Sequence, residues 1–140
     1  MIGFCMIVLK DYKQWMRRKA FVHNRQLYRH VNEGDVVWAA VGENVGVEID
    51  GKSKKYSRPV VVLRKYSAKC FTGVPLTTKN HHVGDWYVHF EFQGRQEVAV
   101  LIQAKLFDAS RVYSRIGKLS RNDYQRILSR FIGLFEKNVP

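Results

Sequence analysis

The chain has 140 residues, 46% of them hydrophobic, which suits one domain with its own core and excludes a chain too polar to fold. Its 24 Lys+Arg against 12 Asp+Glu give a net charge of +12, the electrostatic footprint of a protein that meets a polyanion: RNA, DNA or an acidic protein. Two cysteines, Cys5 and Cys70, are too few for a disulfide framework, and with no secretory signal a reducing cytoplasm is the default compartment.

The apolar start, Met1 to Leu9, is far too short to span a bilayer and lacks a basic flank and a small-residue cleavage site. Residues Asp11 to Tyr28 read as a helix. Tyr12, Trp15, Met16, Ala20, His23 and Leu27 share one side, Lys13, Arg17 and Arg18 lie elsewhere, and Asp11 can cap the start. This segment reads as a helix packed on the domain or as a basic arm. Asn32-Glu33-Gly34 is a turn, and Asp35 to Val41 a strand with Trp38 expected as a buried aromatic.

A long loop from Gly42 to Ser57 follows. It carries three glycines and the cluster Lys52, Lys54 and Lys55, which suit a segment that tracks phosphates. Pro59 to Lys65 is apolar on both faces and belongs in the centre of a sheet. Cys70 to Leu76 is the next strand, closed by Thr77-Thr78-Lys79-Asn80. Trp86 to Phe92 alternates, Gln93-Gly94-Arg95 turns the chain, and Val98 to Ile102 is a further apolar strand. Ser120-Arg121-Asn122-Asp123 opens a C-terminal helix whose apolar stripe is Tyr124, Ile127, Leu128, Phe131, Ile132 and Phe135. Closely spaced strands followed by a helix indicate a small, mainly β barrel of α+β class.

No spacing suggests a metal site. His81 and His82 are adjacent, so in an extended segment they point apart. No phosphate-binding glycine loop and no activated cysteine stand out. Metal-independent RNA cleavage remains chemically open. The 2′-hydroxyl attacks the neighbouring phosphate if a base, donors for the phosphorane and an acid are supplied. Arg58 suits the phosphate, Thr77 can steady an oxygen, and Glu48 is the nearest carboxylate base.

The motifs, taken in order, resemble the MazF/PemK (Kid-like) family of toxins from bacterial type II toxin–antitoxin systems. Gly34 to Trp38 matches the opening Gly-Asp strand, and Gly46-Val47-Glu48 the Gly-x-Glu loop, with Ile49 in place of glutamine. Arg58 to Leu63 matches the Arg-Pro strand, and Pro75-Leu76-Thr77 the Pro-x-Thr strand end. Gln103 to Asp108 matches the Gln-x-Arg-x-x-Asp segment, with Lys105 in place of arginine. The resemblance covers Gly34 to about Phe135. It divides the chain into an N-terminal helical extension, 1–33, and a barrel domain, 34–140.

The resemblance implies an SH3-like barrel with a C-terminal helix, a homodimer, and a cofactor-free endoribonuclease that cuts single-stranded RNA to leave a 2′,3′-cyclic phosphate and a 5′-hydroxyl. It assigns catalysis to Arg58 and Thr77, with Glu48 matching the loop glutamate. RNA contacts are expected from Lys52, Lys54, Lys55, Thr78, Lys79, Trp86, Gln103 and Lys105. The loops from Gly42 to Ser57 and from Lys79 to Trp86 would form the walls. An acidic antitoxin segment is the implied protein partner, and no membrane is involved. The alternative is a non-catalytic toxin of the same fold, such as a gyrase poison.

Overall fold

The computed structural model describes residues 9–136. The reading of Met1 to Leu9 therefore lies, through residue 8, outside the described residues.

Helix α1 (Tyr12–Asn24) is followed by strand β1 (Asp35–Ala40) and the long β2 (Ser57–Ser67). Strands β3 (Cys70–Thr77), β4 (Tyr87–Phe92), β5 (Arg95–Val100), β6 (Lys105–Asp108) and β7 (Val112–Lys118) complete the sheet, and helix α2 (Arg121–Glu136) ends the described chain. The strands form one antiparallel sheet in the order β4-β5-β3-β2-β1-β7, with β6 also paired to β3. This is the mainly β architecture expected, with one helix at each end. The sheet is not closed: no ladder joins β4 to β7 among the described residues.

β2 lies in the middle because Val60, Val61, Val62 and Leu63 are buried on both faces. Alternation sends Val61, Leu63, Val74 and Leu76 into one core, under Ile127 of α2, and Val60, Val62, Phe71 and Phe107 into a second. Gly73 lets β6 approach β3. A Cβ there would stand 2.5 Å from Val60 Cγ1 and 2.7 Å from Phe107 Cδ2. The β4–β5 turn uses Gln93 and Gly94, both at positive φ, the geometry of a two-residue hairpin.

Several expectations are corrected. Strand β5 starts at Arg95 and ends at Val100, where Leu101–Gln103 coils into a 3-10 turn instead of continuing the strand to Ile102. Strands β6 and β7 lack alternating apolar residues. β7 is bulged twice against β1, so its pattern of exposure has no clean period of two. Helix α1 ends at Asn24, not Tyr28. Only Trp15 and Val22 of it are buried, against Ala40, while Tyr12, Met16 and Leu27 are exposed. Asp11 does cap it, accepting from Gln14 N at 3.0 Å. A Cβ at residue 42 would sit 2.3 Å from the Trp15 ring, so Gly42 makes room for the helix to dock.

In α2, Ser120 Oγ accepts from Asp123 N at 3.1 Å, as the capping motif requires. Ile127 is its one fully buried residue, Tyr124, Leu128 and Phe131 pack partly on the core, and Ile132 and Phe135 face solvent. The stripe is therefore narrower than its sequence suggests.

Candidate functional site

A cleft of about 620 Å³ opens where the ends of β1, β2, β3, β5 and β7 meet the β4–β5 turn. Its lining includes Arg58 and Thr77. The two lie two residues beyond the Val60↔Pro75 pair on adjacent antiparallel strands, so the register sets them across from one another. Arg58 is half-buried. Its Nε donates to Asp50 O at 2.8 Å and its Nη1 to Leu76 O at 3.1 Å. Those bonds hold the guanidinium plane and leave its remaining N–H donors without a partner among the described residues. Burial lowers the Arg58 pKa and Asp50 partly offsets this. Thr77 is only 7% exposed, and its hydroxyl accepts from Lys79 N at 3.3 Å, leaving the O–H free to donate.

Lys52, Lys55 and Thr78 share this lining. Lys52 is held by a short bridge to Ser57 that ties the base of the 42–57 loop. Lys54, Lys79 and Trp86 stay outside it, and Trp86 is 54% exposed on its own loop.

Glu48, Gln103 and Lys105 form a separate group. Gln103 Oε1 accepts from Ile49 N at 3.1 Å and Gln103 Nε2 donates to Val47 O at 2.9 Å, so the glutamine clamps the 42–57 loop to the 3-10 turn. Ile49, standing where the family has glutamine, packs on the second core. Glu48 Oε1 accepts from Val45 N at 2.9 Å and closes a turn within the loop. Lys105 Nζ lies 5.0 Å from the Phe107 ring centroid, and desolvation together with Arg111 and Lys19 lowers its pKa to about 8.

Two cleft residues escape sequence reasoning. Trp38, expected in the core, is 42% exposed and forms part of the cleft lining. On β1 it shares a face with Val36 and Ala40. Ala40 is covered by α1, and Trp38 is left open between them. Glu97 is 8% exposed and is the one carboxylic acid in the lining; burial raises its pKa, partly opposed by Arg95. Its signal was a charge beside an otherwise apolar strand, Val98 to Val100.

Residues 32–135 match the family profile described as PemK-like, MazF-like toxin of type II toxin-antitoxin system. The chain belongs to that toxin family. The toxin is similar in fold to MazF from Deinococcus radiodurans, with a TM-score of 0.62 and 17% identity over 77% of this chain and 99% of that one. It is also similar to the Mycobacterium tuberculosis toxin MazF-mt6, with a TM-score of 0.53 and 16% identity over 73% of this chain and 96% of that one. No curated protein sequence matches it significantly. In this toxin α1 lies outside the matched residues, yet it packs directly on the end of β1. Among the described residues, no group of three or more His, Cys, Asp or Glu is placed to hold a metal, and no helix is long and apolar enough to cross a membrane.

Proposed function

We propose that this toxin cuts single-stranded RNA by attack of a 2′-hydroxyl on the adjacent phosphate. The new 2′-O–P bond forms as the P–O5′ bond breaks, giving a 2′,3′-cyclic phosphate and a 5′-hydroxyl. The observation that carries this reading is Arg58 and Thr77 lining one cleft with Lys52 and Lys55. Arg58, fixed by two backbone carbonyls, presents its free N–H donors to the phosphorane oxygens, where charge grows. Thr77 adds a hydroxyl donor to the same oxygens.

Two protons must move. One leaves the 2′-hydroxyl, and Glu97 is the carboxylate in the cleft that can take it; burial makes that carboxylate a stronger base than an exposed one. The other must reach the departing 5′-oxygen, and desolvation makes the Arg58 guanidinium a better acid than usual. Glu48, tied into its own loop turn, serves the loop in this scheme rather than the proton. Trp38 offers an open aromatic face on which an unstacked base can lie. An acidic antitoxin segment would block the same basic cleft, and the toxin would act as a homodimer in the cytoplasm.

The test incubates the full chain with a long transcript in EDTA. Discrete fragments with 5′-hydroxyl ends, lost in Arg58→Ala, are the expected result. Intact RNA beside inhibited gyrase would replace this reading with the non-catalytic one.

A further inference from the structure

The face of β1 that carries Trp38 continues to Ala40, and Ala40 is roofed by Trp15 and Val22 of α1. The helix therefore packs beside the cleft, on the end of β1, with no residue of its own in the lining. Tyr113, part of the cleft lining, is the hinge between the two. Three cations gather near it, Arg18 and the C-cap Arg25 from α1 and Lys55 from the 42–57 loop. Lys55 Nζ lies 5.3 Å from the Tyr113 ring centroid and Arg25 Cζ 5.2 Å, while Arg18, whose Cζ lies 5.3 Å from the Phe21 ring centroid, is within electrostatic reach of the Tyr113 hydroxyl. The hydroxyl itself donates to Lys55 O at 3.2 Å.

Arg25 is held in place by bonds to Ser110 O and to Val112 O, the latter at 3.1 Å, and its Nε is buried without a hydrogen-bond partner. None of the three cations forms an ion pair among the described residues. A little further round, Lys19 of α1 and Arg111 both lie within electrostatic reach of Lys105, whose ammonium is depressed first by desolvation and then by these two charges. The acids that face this surface are few. Asp108 lies near Arg111 and Glu48 near Lys105, while Asp11 and Glu43 sit within electrostatic reach of Tyr56. Gathering like charges with so little neutralisation costs energy unless an anion returns it. The anion that fits is one continuous with the cleft and carrying a charge at each step, the phosphate backbone of RNA.

We propose that α1 extends the RNA site: Arg18, Arg25 and Lys55, grouped on Tyr113, bind backbone phosphates of the strand running out of the Arg58–Thr77 cleft. This rests on the RNA-cleaving reading above. It gives the segment outside the family match a ligand-binding task, and a footprint longer than the cleft alone.

Binding is measured by fluorescence anisotropy with 2′-O-methyl RNA, which cannot be cut, on the full chain. Two lengths are compared, about four and about twelve nucleotides, bracketing the range of single-strand site sizes. The longer RNA is expected to bind severalfold more tightly, and Arg18→Gln/Lys55→Gln to remove most of that advantage. The slope of log affinity against log salt should fall by about 0.7 for each phosphate that is no longer neutralised. Arg25 is left intact because its backbone bonds support the fold, and unchanged thermal melting of the double variant shows that the fold is kept.

Equal affinity for both lengths, or a length advantage that survives the double variant, overturns the proposal while leaving the cleft reading in place. Failure to bind either RNA sinks both. If a poly-glutamate peptide binds through Arg18 and Lys55 and RNA does not, the surface is a protein contact and the proposal is wrong.

Discussion

The cleft and the Gln103 clamp beside it make the instructive contrast. Both are built from motif residues of one family, and both use a long polar side chain fixed by two backbone partners. Arg58 bonds two carbonyls and keeps donors to spare, so its anchoring prepares it for a ligand. Gln103 uses its carbonyl and its amide on Ile49 and Val47, so its bonding is directed at the 42–57 loop. Motif residues in sequence order thus separate in space into a group that lines the cleft and a group that shapes the loop beside it.

Substitutions on the two sides should separate accordingly. The largest effect is expected from Arg58→Ala, a fall in kcat of about 10²–10³, the cost of losing a donor to a charged intermediate. Arg58→Lys should recover little of it, because a point charge does not replace the fork. Single-turnover cleavage of a labelled RNA measures both.

Glu97→Gln should lower the rate about a hundredfold at neutral pH. The wild-type rate should rise with pH as the Glu97 carboxyl ionises, later than an ordinary glutamate because burial raises its pKa. The variant should lose that limb of the pH–rate profile. An unchanged profile would remove Glu97 from the proton path.

Trp38→Ala should weaken RNA binding by about 1–3 kcal/mol if a base stacks on it, whereas Trp86→Ala, outside the cleft, should change binding little. Anisotropy titrations of the two variants side by side give the comparison.

On the clamp side, Gln103→Ala removes two hydrogen bonds to the loop and should cost about 1–3 kcal/mol of stability by denaturant unfolding. Its effect on kcat should be well below that of Arg58→Ala.

The smallest effect is expected from Lys105→Met. The folded-state pKa is lowered from 10.5 to about 8, so the charged ammonium is disfavoured by folding. That penalty is present below pH 8 and disappears as pH rises towards 10.5, where the unfolded lysine also loses its proton. The variant should melt slightly higher than the parent at pH 7, with the gain fading between those two values.

The strands that carry Arg58 and Thr77 are legible in the sequence. An Arg-Pro start to one apolar strand and a Pro-Leu-Thr end to the next are joined by a short antiparallel connection, Ser67 to Cys70, but two register shifts along the ladder decide which residue of β3 faces Arg58, and those are not written in the turn. The C-terminal helix is legible from its Ser120 cap. Strand β7 is not, because two bulges against β1 remove the period of two that marks a strand. The exposure of Trp38 is hidden for another reason. Alternation places it on a face with Val36 and Ala40, and which of the three is covered depends on where α1 docks. Glu97 reads as an ordinary charge at a strand start until β3 and β5 pair and bring it beside the Thr77 end.

Attack by the 2′-hydroxyl is tested most directly with an RNA carrying a single 2′-deoxy nucleotide on the 5′ side of a mapped cut. This chimera is expected to bind as tightly as the all-RNA strand and to stay whole at that linkage, while neighbouring all-ribose sites are still cut. Cleavage at the deoxy linkage at an undiminished rate would contradict it, since no internal nucleophile would then be available.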